Sequence, residues 1–258
     1  MTTRETTGVI LTGMDLGEKD RLLTFYCHDE GLLRLAAPAA KKISRADSGI
    51  LQKFCWNDIT YYQKDEESLG SINDLSRRRL FSALRQDLNK MSYGSYVLEF
   101  YRKTGTEEGQ PALFRHLVTT LSLLAEAEED LRHKLIHCAF RLRILTLLGF
   151  RPRLSRCSRC EEEVELEDLK GNKECVLALR EGGIICCEDE DLSRDLYPLD
   201  DICLRSMVRF IDRGYEDIEK ISEIMDEERL DYLNKIIEKF INYHLDLSLS
   251  SNRFLSLF

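Results

Sequence analysis

The sequence lacks any long apolar run. None of its apolar stretches approaches the roughly 20 residues that a membrane-spanning helix requires. Its N-terminus also lacks the charged and then apolar pattern of a secretion signal. We therefore expect a cytoplasmic protein without a membrane partner, in a compartment where thiols stay reduced.

The sequence also lacks the motifs that most often mark an active site. It has no glycine-rich phosphate loop, no G-x-S-x-G nucleophile elbow and no H-E-x-x-H motif. Its five histidines are scattered. A metalloenzyme would need an open coordination position with a base nearby, and residues 154–195 offer no candidate base. The sequence therefore favours a binding protein over an enzyme.

The composition is that of a globular protein with one to three domains. The chain has 258 residues, of which 43% are hydrophobic, so it can build packed cores. Its net charge of −9 is unevenly distributed, with −3 in residues 1–75, +8 in residues 76–160 and −14 in residues 161–258. The basic segment indicates a polyanion or an acidic partner, unless the acidic end balances it within the molecule.

The first 76 residues predict short strands separated by turns. The predicted strands are 8–13, 21–27, 32–37, 57–63 and 69–75. Five strands without a long helix between them are typical of a small closed barrel of the OB type. We expect an α+β multidomain protein with an OB-fold domain at 1–76, a helical domain at 77–258 and, within the latter, a zinc-ribbon-like insert at 154–195.

Basic side chains lie on or beside the turns of the predicted barrel. Such clusters can contact the phosphate backbone of nucleic acid, although a single lysine is more often ordinary surface charge. The candidate DNA-binding residues are Lys19, Arg21, Arg34, Lys41, Lys42 and Arg45. Tyr26, Phe54 or Tyr61 could stack on bases, but each is more often a core residue.

From Ser76 onwards the apolar residues recur at helical spacing. Ser76 is a candidate N-cap for a helix that begins with Arg77, Arg78 and Arg79. Three arginines in a first turn oppose the helix dipole, which indicates a role other than helix stability. Further helices are predicted at 111–124, 131–148, 198–213 and 226–245.

The predicted helix 131–148 carries cations beside apolar side chains. Ile136 and Phe140 lie at helical spacing among these cations, which are Arg132, Lys134, Arg141 and Arg143. Such a face could bind a short peptide that ends in acidic residues and an aromatic one. The alternative is a solvated face beside a packed one.

Nine cysteines point to a metal site and to core positions. Cys157 and Cys160 form a C-x-x-C pair, and Cys186 follows after a short predicted hairpin. A structural zinc ion needs a fourth ligand, for which Asp189, Cys187 or Cys175 is a candidate. The alternative is a knuckle that folds without metal. The remaining cysteines in apolar surroundings are expected in the core; these are Cys27, Cys55, Cys138 and Cys203.

The ordered segments of the chain resemble those of the bacterial RecO family over nearly the whole length. The matching segments are Gly17–Thr24, Glu30–Arg34, Leu51–Phe54, Leu147–Pro152, the Cys157–Cys160 pair and Gly182–Cys186. The resemblance implies an N-terminal OB-fold, a helical C-terminal domain and a small zinc-binding insert. This chain departs from the family pattern at Asp189, where a cysteine is expected, and at Ala39 and Ala40, where a glycine usually precedes the basic residues.

The resemblance also implies a function in recombination. RecO proteins bind single- and double-stranded DNA and anneal complementary strands. Together with RecR they help to load RecA onto DNA coated by single-strand-binding protein, whose acidic C-terminal tail they bind. The implied location is the cytoplasm, at the nucleoid. The alternative is a protein–protein adaptor that binds the acidic tail and for which DNA is secondary.

Overall fold

The computed structural model describes residues 2–38, 48–65, 68–164, 175–186 and 195–255, without the side chains of Thr2, Ser48, Arg253 and Phe254. These residues fall into two compact units. Those within Met1–Glu126 and Leu249–Phe258 form the first unit, and those within Ala127–Ser248 form the second. The domain limits expected from the sequence stay a prediction, which limited proteolysis would test.

The first unit contains a closed five-stranded barrel. Its strands are β1 (Thr2–Leu16), β2 (Asp20–Cys27), β3 (Gly31–Ala37), β4 (Cys55–Gln63) and β5 (Gly70–Leu80). The order around the barrel is β1-β2-β3-β5-β4, and β3 and β5 pair in parallel while the other neighbours are antiparallel. This closed arrangement confirms the predicted OB-type barrel.

Strand β4 shows how the sequence produces the barrel. Its residues alternate between buried and half-buried positions, so Ile59 and Tyr61 enter the core that Ile10 and Phe25 share. Asn57 is also buried, and it is satisfied because its amide nitrogen donates to the Ile50 carbonyl at 3.2 Å and its oxygen accepts from the Cys55 thiol at 3.2 Å.

Strand β5 runs further than the sequence pattern indicates. It continues to Leu80, with Arg77 opposite Asn57 and Arg79 opposite Trp56. The predicted helix start at Ser76 is therefore wrong, because pairing with β4 overrides the local capping signal. The first long helix is instead capped by Asp87, whose carboxylate accepts the Lys90 backbone N–H at 2.8 Å.

Helices complete both units. In chain order they are α1 (Ala83–Gln86), α2 (Leu88–Thr104), α3 (Pro111–Glu126), α4 (Asp130–Leu147), α5 (Asp201–Arg213), α6 (Ile218–Ser222), α7 (Glu227–Leu245) and α8 (Asn252–Leu255). Among the described helices, none combines the length and the apolar content that a transmembrane span requires.

Helices α1 to α3 and α8 belong to the same compact unit as the barrel. The Leu32 backbone N–H donates to the Thr106 carbonyl at 2.7 Å, which ties β3 to the connection between α2 and α3. Gly109 packs so tightly against Asp29 that an added Cβ would lie 2.1 Å from its carbonyl oxygen. These contacts fix α2 and α3 against one end of the barrel.

The second unit is built around α4. Helices α5, α6 and α7 pack against it, and a three-stranded sheet of order β7-β6-β8 lies in the same unit. The strands are β6 (Cys175–Ala178), β7 (Gly183–Cys186) and β8 (Leu196–Leu199). The predicted helix start at Pro198 is wrong, since β8 occupies that position and Asp200 caps α5 by accepting the Cys203 N–H at 2.8 Å.

Candidate nucleic-acid interface and cysteine cluster

Three consecutive arginines lie exposed on the outer side of the barrel. Arg77, Arg78 and Arg79 occupy the end of β5. The register with β4 shifts between Trp56 and Asn57, which leaves Arg78 as the extra residue of a β-bulge. The bulge interrupts the strict alternation of the strand, and all three arginine side chains are exposed. We call this run of three exposed arginines, Arg77–Arg79, the arginine strand.

The arginine strand is combined with an aromatic side chain. The Arg78 guanidinium lies 5.6 Å from the centre of the Trp56 ring, a cation–π distance, and donates to the Asp58 carboxylate at 2.6 Å. Arg79 donates to Glu126 at 3.0 Å. Exposed ion pairs of this kind contribute about 0–1 kcal/mol, so phosphates can replace these carboxylates at little cost.

The predicted DNA-binding residues differ in their surroundings. Lys19 and Arg34 are exposed, on the turn after β1 and on β3 respectively. Arg21 is half-buried and donates to the Leu51 carbonyl at 3.3 Å, which fastens β2 to the 3-10 turn Ser48–Leu51. The remaining candidates lie outside the described residues; these are Lys41, Lys42 and Arg45.

The aromatic residues predicted to stack on bases are all in the core. Tyr26, Phe54 and Tyr61 are buried, as the sequence favours for each of them, so these side chains are not exposed for stacking on bases. Burial raises the pKa of the Tyr26 hydroxyl to about 12. Trp56, which is half-buried, lies beside one of the exposed arginines, Arg78. The alternation of β4 is the signal that identifies it, because Trp56 precedes the inward-facing Asn57.

Two of the predicted peptide-binding cations of α4, Arg132 and Lys134, pair with acidic residues of the second unit, and their side chains are 39% and 16% exposed. Arg132 contacts the Glu219 carboxylate of α6. The Lys134 ammonium lies 2.7 Å from Glu227 and 2.9 Å from Asp231, both on α7. These contacts show that the two cations already bind carboxylates within the chain.

The other two predicted peptide-binding cations have internal partners. Arg141 is only 2% exposed, donates to the Asn234 carbonyl at 2.9 Å and pairs with Glu238 at 3.2 Å. Arg143 donates to the Ile211 carbonyl at 2.8 Å. The apolar part of the predicted surface, Ile136 and Phe140, is fully buried. It therefore belongs to the core around α4.

Three of the predicted metal ligands come together in the second unit. The Cys186 sulfur lies 3.5 Å from those of Cys157 and Cys160, and all three lie within 4.8 Å of one another. A tight turn carries the first two cysteines, and the end of β7 carries the third. Three sulfurs bound to one tetrahedral zinc would be separated by about 3.8 Å, so the cluster fits this ion.

The cluster favours a thiolate at one position. Although burial opposes ionisation of Cys157, backbone N–H groups of Cys160, Cys186 and Arg159 lower its pKa to about 6. The pKa of Cys186 is raised to about 12, because it hydrogen-bonds to the other two thiols and lies close to their charge. A bound dication would supply the charge that allows several thiolates to coexist.

The geometry reduces the number of candidates for the fourth ligand. Cys175 pairs with Cys186 across the sheet, yet its sulfur is outside the cluster that the described residues form. The two other candidates, Cys187 and Asp189, lie outside the described residues. Cys187 and Asp189 therefore stay predicted candidates for the fourth ligand.

The fold and the cysteine cluster define an α+β protein in which an OB-type barrel precedes a helical part with a small cysteine-bearing sheet. The model of the recombination protein O N-terminal region matches residues 1–81, and that of the C-terminal region matches residues 85–253. The chain belongs to the recombination protein O, or RecO, family, as its sequence segments predict.

Curated relatives agree with this assignment. The chain is 26% identical over 244 residues to a DNA repair protein RecO of Alkaliphilus metalliredigens, with 94% of each chain covered. It is 26% identical over 251 residues to that of Moorella thermoacetica, which covers 96% of this chain and 89% of the relative. A match of 31% identity to the protein of Pelotomaculum thermopropionicum covers 59% of this chain and 58% of the relative.

Proposed function

We propose that the chain acts in DNA repair and recombination by binding single- and double-stranded DNA through its barrel, without enzymatic turnover. Membership of the RecO family supports the role in repair. The observation that carries the proposed DNA contact is the arginine strand, since it has three consecutive exposed arginines, and the Arg78 guanidinium lies over Trp56. Phosphate contacts of this kind give affinity without reading sequence.

Phosphate contacts are also consistent with two more specific steps, strand annealing and the loading of RecA. A protein that binds phosphates leaves base edges available for pairing, which suits annealing of complementary strands. In this proposal the chain works with RecR to load RecA onto DNA coated by single-strand-binding protein, in the cytoplasm at the nucleoid. The resemblance of the sequence to RecO supports these partners.

Alanine substitution of Arg77, Arg78 and Arg79 together should weaken binding to a single-stranded oligonucleotide and reduce its dependence on salt. Each phosphate contact contributes about 0.7 to the slope of log affinity against log salt concentration on single strands. The slope should therefore fall by about 2. Fluorescence anisotropy between 50 and 200 mM salt measures both the affinity and its salt dependence. A loss of affinity without a change in slope would indicate lost packing, not lost phosphate contacts.

A matched control keeps the number of removed charges constant. The exposed cations Arg102, Lys103 and Arg115 lie on α2 and α3 of the same unit and outside β5. Their triple alanine variant should retain most of the slope. Equal losses in both variants would show that net charge, rather than the arginine strand, determines DNA binding.

The acidic tail of single-strand-binding protein is a second proposed partner. The observation that favours it is that Arg132 and Lys134 already bind carboxylates of Glu219 and Glu227, which a peptide could displace. Changing both cations to glutamate should reduce binding of an acidic tail peptide about tenfold or more, because charge-assisted contacts contribute 1.5–3 kcal/mol, about 10- to 150-fold each. Oligonucleotide affinity should not change. Loss of DNA binding with intact peptide binding would contradict this assignment.

A further inference from the structure

A groove of about 420 Å³ lies in the first unit, away from the arginine strand. Four segments of the chain contribute to it: β1, the residue Lys53 before β4, helix α2 and the segment before α8. Its lining residues are Leu11, Thr12, Lys53, Leu88, Met91, Ser92, Ser95, Leu98, Glu99, Arg102, Ser250 and Ser251.

One face of α2 forms the long side of the groove. Leu88, Met91, Ser95, Leu98 and Arg102 recur at intervals of three and four residues, so they lie in a single stripe. Leu88 is 69% exposed, the highest fraction among the large apolar side chains of the described chain. The stripe therefore presents an apolar surface that the described residues leave open at its N-terminal end.

The groove contains two positively charged side chains that a ligand could contact. Lys53 and Arg102 are exposed, and no carboxylate of the described residues forms an ion pair with either. Glu99, the carboxylate in the lining, is occupied. It accepts the Ser250 hydroxyl at 2.7 Å and the Ser251 N–H at 2.8 Å, and it lies 3.4 Å from the Lys103 ammonium.

Although burial opposes ionisation of Glu99, hydrogen bonds from Ser251 and Ser250 lower its pKa to about 2. It therefore stays ionised at neutral pH and holds the segment before α8 as a wall of the groove. A ligand in the groove would therefore contact Lys53 and Arg102, which form no ion pair with a described carboxylate, and the apolar side chains between them.

We propose that this groove binds a short segment of a partner protein in which acidic side chains alternate with apolar ones. Carboxylates pair with Lys53 and Arg102, and apolar side chains cover Leu88 and Met91. Nucleic acid fits less well, since the described residues of the lining include no aromatic side chain on which a base could stack and only two cations without a described ion pair. The proposal does not rest on DNA binding by the arginine strand.

A fluorescein-labelled nonapeptide that alternates aspartate with leucine is the probe, and the same peptide with asparagine in place of aspartate is its control. Anisotropy should show binding of the acidic peptide and at least about tenfold weaker binding of the neutral one, because charge-assisted hydrogen bonds contribute most here. The double variant Lys53→Glu and Arg102→Glu should weaken acidic-peptide binding at least about tenfold. Leu88→Asp should weaken it as well.

The matched control is Arg115→Glu, which reverses an exposed cation on α3 outside the groove. It should leave peptide binding unchanged, and the circular dichroism of all variants should match that of the unmodified chain. Equal weakening by Arg115→Glu, equal binding of both peptides, or loss of binding only in the Arg132 and Lys134 variant would overturn the proposal. Displacement of the peptide by an oligonucleotide that depends on Lys53 would instead assign the groove to nucleic acid and equally overturn it.

The arginine-strand variant separates this proposal from the proposed DNA contact. It should keep peptide binding while it loses salt-dependent DNA affinity. Failure of the DNA result alone therefore leaves the groove standing, and failure of the peptide result alone leaves the DNA contact standing.

Discussion

Replacing Arg141 by alanine should lower the free energy of unfolding of the second unit by about 3–5 kcal/mol. The guanidinium lies inside the helical packing and satisfies both the Asn234 carbonyl of α7 and the Glu238 carboxylate. Removal of the arginine would leave a carboxylate that is only 12% exposed without this cation, and a cavity of the size of its side chain. Urea unfolding followed by circular dichroism at 222 nm, a signal dominated by helices, measures the loss.

The control for this effect is Arg132→Ala. Arg132 stands about two and a half turns earlier on α4 and pairs with Glu219, but its side chain is 39% exposed. The loss should be about 1 kcal/mol or less, as for other surface pairs. Similar losses for both variants would mean that Arg141 stabilises the unit through ordinary helix packing, not through its buried contacts. The double variant Arg141→Met with Glu238→Leu should recover most of the stability, since it removes both buried charges together.

The barrel could be predicted because the residue pattern of a strand is visible within each short segment of the sequence. In β4 the alternation of Cys55, Asn57, Ile59 and Tyr61 with half-buried residues is visible in the sequence and is what the structure shows. The turns that separate β1, β2 and β3 are equally local. Closure follows from five such strands, because an open sheet of that length would expose two edges.

The end of β5 could not be predicted in this way. Ser76 followed by three arginines reads locally as a capped helix, and only the pairing of Arg77 with Asn57 and of Arg79 with Trp56 makes it a strand. That pairing joins residues 20 and 23 positions apart, which no window of local pattern contains. The argument from a helix dipole therefore does not apply to the triplet, and its role outside helix stability stays a prediction.

Which sides of α4 are open to a partner could not be predicted either, for a related reason. Helical spacing correctly groups Arg132, Ile136 and Phe140 on one side of α4, but it does not reveal which sides other helices cover. Acidic residues of α6 and α7 pair with Arg132 and Lys134. Part of the positive charge of residues 76–160 is thus balanced within the second unit, which was the alternative to a polyanion. The arginine strand and Lys53 lie in the first unit and are outside this balance.

One zinc ion per chain should be released when the cysteine cluster is disrupted. Cys186→Ala should abolish zinc binding, because it removes the sulfur that lies 3.5 Å from both other thiols. Cys175→Ala is the matched control, since Cys175 lies directly opposite Cys186 in the sheet but outside the cluster. Elemental analysis of the purified variants measures the ratio of zinc to protein. Loss of zinc from the Cys175 variant alone would show that the sulfurs are used differently from the geometry described.

The zinc affinity of the cluster should also rise with pH, because the hydrogen-bonded Cys186 thiol must lose its proton to bind the ion. Near pH 7 Cys157, with a pKa of about 6, is largely ionised, whereas Cys186, with a pKa of about 12, is protonated. Zinc must therefore displace at least the Cys186 proton, so its apparent affinity should rise about tenfold per pH unit for each proton released. Competition with a chromophoric chelator at pH 6.5 and 7.5 measures this slope. An affinity that stays constant would mean that Cys186 is not a ligand.

If Cys186 does bind zinc, chelation of the ion should unfold the β6–β7 hairpin, because its small core of Cys157, Val176, Ala178 and Ile185 provides little stability alone. If Cys186 is not a ligand, chelation should leave the hairpin intact.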